Sequence, residues 1–141
     1  MFLVDHRFAL AGTPVRRSPG RVGVPGDASA YAALRILNGI VESGADYALQ
    51  DAFPHDVLFD KSGGVSFRKG CYVGQEVTAR MKHKTELRKG LVRVQVTGAA
   101  SVGDEITADG KPAGTLFTRS GDRAIAYLRL DRATGPMQAG S

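Results

Sequence analysis

Two stretches of the chain have the hydrophobic spacing of an amphipathic helix. In the first, apolar residues recur every three or four positions from Asp27 to Asn38, the period of a helix with one buried face. Asp27 or Ser29 provides an N-terminal cap, and Gly39 followed by Gly44 ends the helix. The residues expected along the buried stripe are Ala30, Leu34, Leu37 and Val41.

The second stretch is predicted to be a shorter helix over Gln75–His83. Val73, Val77 and Met81 share one face of it, while its basic side chains lie largely away from that face. Between the two helices, Phe53-Pro54 predicts a long loop, because proline disfavours helical geometry at the residue before it.

Beyond Arg88 the hydrophobic period changes to two. Val92, Val94 and Val96 alternate with more polar residues, which predicts a strand with one apolar face. Asp109-Gly110 is a strong signal for the turn of a β-hairpin. Further strands are predicted over residues 103–107, 113–118 and 124–130.

This order of elements predicts an α+β fold. Helices and loops come first and a run of antiparallel strands follows, which is typical of an α+β domain joined to a small β-barrel. We expect a partial α+β domain over residues 1–86 and a C-terminal antiparallel β-barrel over residues 87–141. Residues 1–15 are predicted to be extended.

The composition argues against several classes of protein. The chain of 141 residues is 43% hydrophobic and 23% charged, and no apolar stretch approaches the ~20 residues of a membrane helix. Its start lacks the features of a secretory signal. The single cysteine, Cys71, excludes an internal disulfide framework and fits a reducing cytoplasm. With only three scattered histidines, a self-contained metal site is not expected, so metal chemistry would involve a partner.

Positive charge is concentrated in one segment. The net charge of +5 consists of +6 between Arg68 and Arg93 and −1 in the rest of the chain. A solvated helix face with a hairpin edge explains such a segment. A surface that meets an anionic ligand, a phosphate backbone or an acidic partner explains it equally.

Cys71 comes just before the predicted start of the second helix. Free backbone amides and the helix dipole favour a thiolate there, and Arg68 and Lys69 act in the same direction. Gly70 and Gly74 allow backbone conformations that a side chain would block. A small buried cysteine that only packs is an equally acceptable interpretation of these residues.

The sequence KGCYVGQE at residues 69–76, called the signature segment below, resembles the K-G-C-[YF]-x-G-Q-E signature of the YgfZ family. The resemblance extends over nearly the whole chain, although His6 and Val41 occupy positions where the family usually has proline. The supporting segments are residues 4–12, 31–46, 63–67, 79–83, 114–118 and 124–129. Members of the family are longer, and their N-terminal half has no counterpart in this chain.

The resemblance implies a fold like that of glycine-cleavage T protein, with tetrahydrofolate or a folate derivative as cofactor. It implies a role in assembling or repairing iron–sulfur clusters, including those of enzymes that thiolate transfer RNA, with iron–sulfur proteins or cluster carriers as partners. Cys71 would be the functional thiol, acting in redox exchange or in transient contact with a cluster, and Lys69 would assist it. The residues assigned to the folate site are Arg35, Gly70, Tyr72, Gly74, Gln75 and Glu76.

Other interpretations remain open. Arg35 is alternatively a surface helix residue, and Glu76 a capping residue. A tetrahydrofolate-dependent aminomethyltransferase shares the fold, although the signature is the YgfZ one. A non-catalytic adaptor would use the basic surface to bind nucleic acid or a partner. A cysteine hydrolase would pair Cys71 with a histidine; His83 lies ~18 Å along the predicted helix and is too far away, which leaves His55.

Overall fold

The computed structural model describes residues 1–20, 23–50, 52–83 and 87–140. No helix in these ranges is both long enough and apolar enough to cross a membrane. The elements, in chain order, are β1 (Leu3–Val4), α1 (His6–Leu10), β2 (Arg16–Arg17), α2 (Ala28–Asn38), α3 (Gln75–His83), β3 (Lys89–Gln95), β4 (Glu105–Ala108), β5 (Lys111–Ser120), β6 (Arg123–Arg129) and β7 (Met137–Ala139).

The last five strands form one antiparallel sheet in the order β3-β6-β5-β4-β7. Asp109 and Gly110, with φ of 50° and 72°, make the tight turn between β4 and β5, the left-handed geometry that hairpins favour. The predicted hairpin and the antiparallel strands are therefore confirmed. β3 and β7 lie at opposite edges of the sheet, so the described strands form no closed barrel.

The sheet buries side chains on both faces. On one face Val94 of β3 packs against a cluster that includes Leu116 of β5, as the period of two predicts. On the other face Leu91 and Ile125 pack with Ile36 of α2. Because each such buried side chain contributes about 1.5–3 kcal/mol, this second cluster holds α2 against the sheet.

α2 begins and ends where the sequence predicts, but it buries a different face. The Asp27 side chain accepts a hydrogen bond from a first-turn amide at 2.8 Å, and Gly39 ends the helix with φ of 66°. Leu37 of the predicted stripe is 48% exposed, whereas Arg35 is only 4% exposed. The predicted stripe is therefore wrong at Ala30 and Leu37, which are exposed, because the sheet contacts Ile36 and a buried carboxylate draws Arg35 inward. It is confirmed at Val41, which is buried in the same core cluster as Ile36.

A short helix replaces part of the predicted extended segment at the start of the chain. The Asp5 side chain accepts a hydrogen bond from the amide of Arg7 at 3.1 Å and so caps α1. Phe8 of α1 is fully buried. The prediction of an extended chain over residues 1–15 is wrong at α1, because a cap and a buried aromatic ring stabilise this turn of helix.

The domain boundary between residues 86 and 87 stays a prediction. Residues 84–86, which adjoin it, lie outside the described residues. Ile36 and Val57 from the first part of the chain share a core cluster with Leu91 and Ile125 from the second. The two parts therefore pack directly against each other.

Candidate functional site

The signature segment is an irregular, exposed connection that leads into α3. The amide of Gln75 donates to the carbonyl of Tyr72 at 3.2 Å, which turns the chain into the helix. Gly74 has φ of 84°, a conformation that strains residues with a side chain. A Cβ added at Gly70 would meet no other atom within 4 Å. The segment is thus shaped by Gly74 and leaves open space around Gly70.

Cys71 is exposed and carries a free thiol. The interpretation of a small buried cysteine that only packs is therefore wrong. The residue lies just ahead of Gln75, the first residue of α3. A thiol at this position is accessible to another molecule.

Two ammonium groups of this region lie over aromatic rings. The Nζ of Lys69 is 4.8 Å from the ring centroid of Tyr72, and the Nζ of Lys82 is 3.9 Å from that of Phe67. Both distances are within the range of cation–π attraction. The ammonium of Lys69 thus contacts Tyr72 within the signature segment, and its assistance to Cys71 stays a prediction.

Gln75 and Glu76 occupy the first turn of α3. The carboxylate of Glu76 accepts a hydrogen bond from Arg80 at 2.5 Å, one turn further along the helix. Both side chains are exposed, so this pair contributes only about 0.3–0.5 kcal/mol. The buried residue of α3 is Thr78, whose hydroxyl donates to the carbonyl of Gly74 at 3.2 Å. A role of Gln75 or Glu76 in ligand binding stays a prediction.

Arg35 is a buried residue that makes an ion pair. Its Nη1 donates to Asp46 at 2.8 Å and to the carbonyl of Ile40 at 3.0 Å. Its Nη2 donates to the hydroxyl of Thr118 in β5 at 3.4 Å. Asp46 is 0% exposed and also accepts from the amide of Glu42 at 2.9 Å. The surface-arginine interpretation is therefore wrong, and the contact of Arg35 with folate stays a prediction.

A polar network extends from the ion pair of Arg35 and Asp46 to the start of the chain. It was not predicted from the sequence. Asp5 accepts from Arg7 at 2.8 Å and from Arg17 at 2.6 Å. The Arg7 and Arg17 guanidinium groups hold the pKa of the Asp5 carboxyl well below its usual range. Arg17 also donates to the hydroxyl of Tyr31 at 3.0 Å, and Tyr31 donates to Glu42 at 3.4 Å. Glu42 in turn lies 3.4 Å from the buried arginine of α2.

His55 is buried and does not pair with Cys71. It is 6% exposed, and its ring centroid lies 5.9 Å from that of Phe67. Neither ring nitrogen has a hydrogen-bond partner among the described residues. A cysteine hydrolase relies on a hydrogen bond between nucleophile and base, and Cys71 and His55 form none in the part of the chain that the structure describes. His83 is exposed at the end of α3.

The positively charged segment between Arg68 and Arg93, called the basic segment here, contains cations that form no ion pair with a carboxylate among the described residues. Arg68, Lys69 and Lys82 are exposed, and none of them forms an ion pair with a carboxylate in the part of the chain that the structure describes. Two of the predicted segment's charged residues, Lys84 and Glu86, lie outside the described residues. Binding of an anionic partner to this segment stays a prediction.

Comparison with known proteins relates the chain to iron–sulfur cluster assembly factors. Residues 88–141 match the family described as CAF17, C-terminal beta-barrel domain. The mouse protein named iron-sulfur cluster assembly factor IBA57, mitochondrial, is 36% identical over 149 residues, which cover 97% of this chain and 42% of that protein. The human protein of the same name is 34% identical over 121 residues, covering 79% of this chain and 33% of that protein. An IBA57 homolog of Aspergillus clavatus is 44% identical over 88 residues, covering 62% of this chain and 19% of that protein.

The chain spans less than half the length of these curated relatives. The similarity to IBA57 proteins supports the coarse relationship that the signature segment predicted. Membership in the YgfZ family itself stays a prediction.

Proposed function

We propose that this chain supports the assembly or repair of iron–sulfur clusters, with the thiol of Cys71 as its functional group. The mouse and human relatives are named for iron–sulfur cluster assembly, and similarity brings that role to this chain. The observation that carries the proposal is the exposure of Cys71 within the signature segment. A thiol at the surface is able to reach a cluster that another protein holds.

The cluster is the cargo in this proposal, and the partner supplies most of its ligands. Among the described residues, no group of three or more His, Cys, Asp and Glu is placed to hold a metal ion. Cys71 is also the one cysteine in the sequence, whereas an iron–sulfur cluster takes several thiolate ligands. The thiolate of Cys71 therefore acts as one transient iron ligand during transfer between iron–sulfur proteins or cluster carriers. Lys69, two positions before Cys71 in the signature segment, is the residue proposed to assist the thiol.

A cluster-transfer assay tests this role. A cluster-loaded carrier is mixed with an apo iron–sulfur enzyme, and the recovery of enzyme activity is followed with and without this chain. We expect the chain to accelerate recovery, Cys71→Ser to lose that acceleration, and Ser101→Ala, another exposed site, to keep it. Full acceleration by Cys71→Ser would leave only the adaptor function, in which the basic surface binds a partner and the thiol has no part. Reconstituted enzymes that thiolate transfer RNA provide a second readout.

Folate binding is a separate proposal, supported by the resemblance of the signature segment. Arg35 is buried and donates to Asp46, so a direct contact of its guanidinium with folate would require this ion pair to open. Of the other assigned residues, Tyr72 and Gln75 are half-buried and Glu76 is exposed. Calorimetric titration with tetrahydrofolate tests the proposal, with Tyr72→Ala as the variant expected to weaken binding. Absence of binding by the wild-type chain would also exclude an aminomethyltransferase that uses folate here.

The cytoplasm is our proposed location, on the basis of the single cysteine and its free thiol. The mouse and human relatives are named as mitochondrial. Fractionation of the source cells with an antibody against this chain distinguishes the two compartments.

A further inference from the structure

Two arginines and a glutamine share one face of the sheet, where β3 ends and β6 begins. Gln95 of β3 lies directly opposite Arg123 of β6, and two residues earlier Arg93 lies opposite Ile125. Opposed residues of an antiparallel pair point to the same face, and successive residues of a strand alternate between faces. Ile125 packs with Ile36 of α2. The two arginines and the glutamine therefore lie on the face of the sheet that α2 contacts.

These three residues line one cavity beside α2. Its volume is about 310 Å³, at the lower end of the range of small-molecule sites. Ile36 and Leu37 of α2 supply its apolar wall, and the side chain of Leu37 is 48% exposed. Leu37 also lines the two adjoining cavities, so apolar surface continues beyond this one. The cavity thus combines cationic groups with an accessible apolar wall.

The hydrogen-bond donors of this cavity are largely unused. Within the described ranges, the side chains of Arg123 and Gln95 make no hydrogen bond and no ion pair. Arg93 donates from Nη1 to the carbonyl of Leu37, which leaves its remaining N–H groups for a ligand. A Cβ added at Gly39 would lie 3.8 Å from Cδ of Arg93, so this side chain packs against the end of α2. Its guanidinium is therefore held in place before any ligand arrives.

One carboxylate lines the same cavity. Asp122 lies in the turn between β5 and β6, and among the described residues neither arginine forms an ion pair with it. Two arginines and one aspartate leave the lining with one net positive charge. Two guanidinium groups and a carboxamide match the three terminal oxygens of a phosphate better than the two oxygens of a carboxylate. The donor set therefore favours a phosphate group.

We propose that Arg93, Gln95 and Arg123 bind a small phosphate monoester whose apolar body contacts Leu37. The two guanidinium groups donate charge-assisted hydrogen bonds to the phosphate oxygens, and the carboxamide donates a further one. Burial of the apolar body against Leu37 adds to the affinity. The site contains no residue of the signature segment, so it goes beyond the role proposed for Cys71.

Titration of the isotope-labelled chain with phenyl phosphate tests the site, because shifts of the backbone amide signals in NMR spectra give the Kd. We expect saturable binding with a Kd on the order of 1 mM and weaker binding of inorganic phosphate, which has no apolar body. Arg123→Gln should weaken binding at least about tenfold. Arg123→Lys should bind with intermediate affinity, because it keeps the charge but loses the planar fork. Asp122→Asn should tighten binding, since it removes a like charge.

The matched control is Arg129→Gln. Arg129 lies on the same face of β6 as Arg123, six positions and about 20 Å further along the strand, and it pairs with Asp131. This variant should bind phenyl phosphate as tightly as the wild-type chain does. Circular dichroism confirms that each variant is folded.

Several results would overturn the proposal. They are equal weakening by Arg129→Gln and Arg123→Gln, no saturation below about 10 mM phenyl phosphate, and tighter binding of benzoate than of phenyl phosphate. Tighter binding of a single-stranded RNA that Arg123→Gln abolishes would also do so, because the arginines would then contact a nucleic-acid backbone. Cys71→Ser should bind phenyl phosphate with unchanged Kd, and a loss of binding in that variant would contradict the placement of the site.

Discussion

Removal of the Asp46 carboxylate should destabilise the fold more than any change at the surface. Asp46 is 0% exposed, and it accepts hydrogen bonds from Arg35 at 2.8 Å and from the backbone amides of Glu42 and Thr118 at 2.9 and 3.3 Å. Asp46→Ala leaves the guanidinium of Arg35 buried without its closest counter-charge. Loss of one partner of a buried ion pair costs about 3–5 kcal/mol. This is a large fraction of the about 5–15 kcal/mol that stabilises a typical domain.

The control is the second carboxylate near the same arginine. Glu42 lies 3.4 Å from Arg35, and its side chain is partly exposed, so Glu42→Gln should cost only about 0–1 kcal/mol. Urea unfolding followed by circular dichroism gives the free energy of unfolding of each variant. The slope of that free energy with urea concentration must be the same in the variants for the comparison to hold. The double variant Arg35→Met with Asp46→Leu should recover much of the loss, because apolar residues replace both charges.

Two results would refute this reasoning. Asp46→Ala would behave like a surface change only if Arg35 were solvated. A loss of unfolding free energy below about 1 kcal/mol would therefore contradict the burial of the pair. A double variant no more stable than Asp46→Ala alone would show that the charge left behind is not the source of the loss.

Three further predictions concern other parts of the chain. Because two arginines lower the pKa of Asp5 in the folded state, its stabilising effect is present above the unfolded value of about pH 4 and is lost as the pH falls towards the folded pKa. The difference in unfolding free energy between wild type and Asp5→Asn, measured from about pH 7 to about pH 3, should therefore shrink on acidification; a constant difference contradicts it. Gly114→Ala would place a Cβ 2.1 Å from the carbonyl oxygen of Tyr127 and should cost about 1–3 kcal/mol in chemical denaturation. Gly26→Ala, where a Cβ meets nothing within 4 Å, is its control, and equal losses would argue against the clash. His55→Leu removes two buried nitrogens without hydrogen-bond partners among the described residues and should raise the unfolding free energy by about 1 kcal/mol; a fall of that size in the same assay would show that the imidazole is needed.

Local signals in the sequence determined the elements around the site. Asp27 and Gly39 mark the ends of α2 through a cap and a left-handed glycine, both of which depend on neighbouring residues. The hairpin at Asp109-Gly110 depends on two adjacent backbone conformations. The signature segment was recognisable from its order of residues, and its position just before α3 followed from the helical spacing. Each of these features is set within a few residues along the chain.

The tertiary structure alone decided which side chains are buried and which face outward. Arg35 is buried because Asp46 and Thr118 meet it, and Thr118 is 83 positions away in sequence. Val77 faces outward although its spacing resembles that of a core residue, since α3 buries Thr78 instead. Periodicity predicts which residues share a face of a helix. Which face becomes buried depends on the surfaces that distant segments of the chain contribute. Burial is therefore a property of the packed chain, because the free energy of covering apolar surface and pairing charges is realised only when those segments meet.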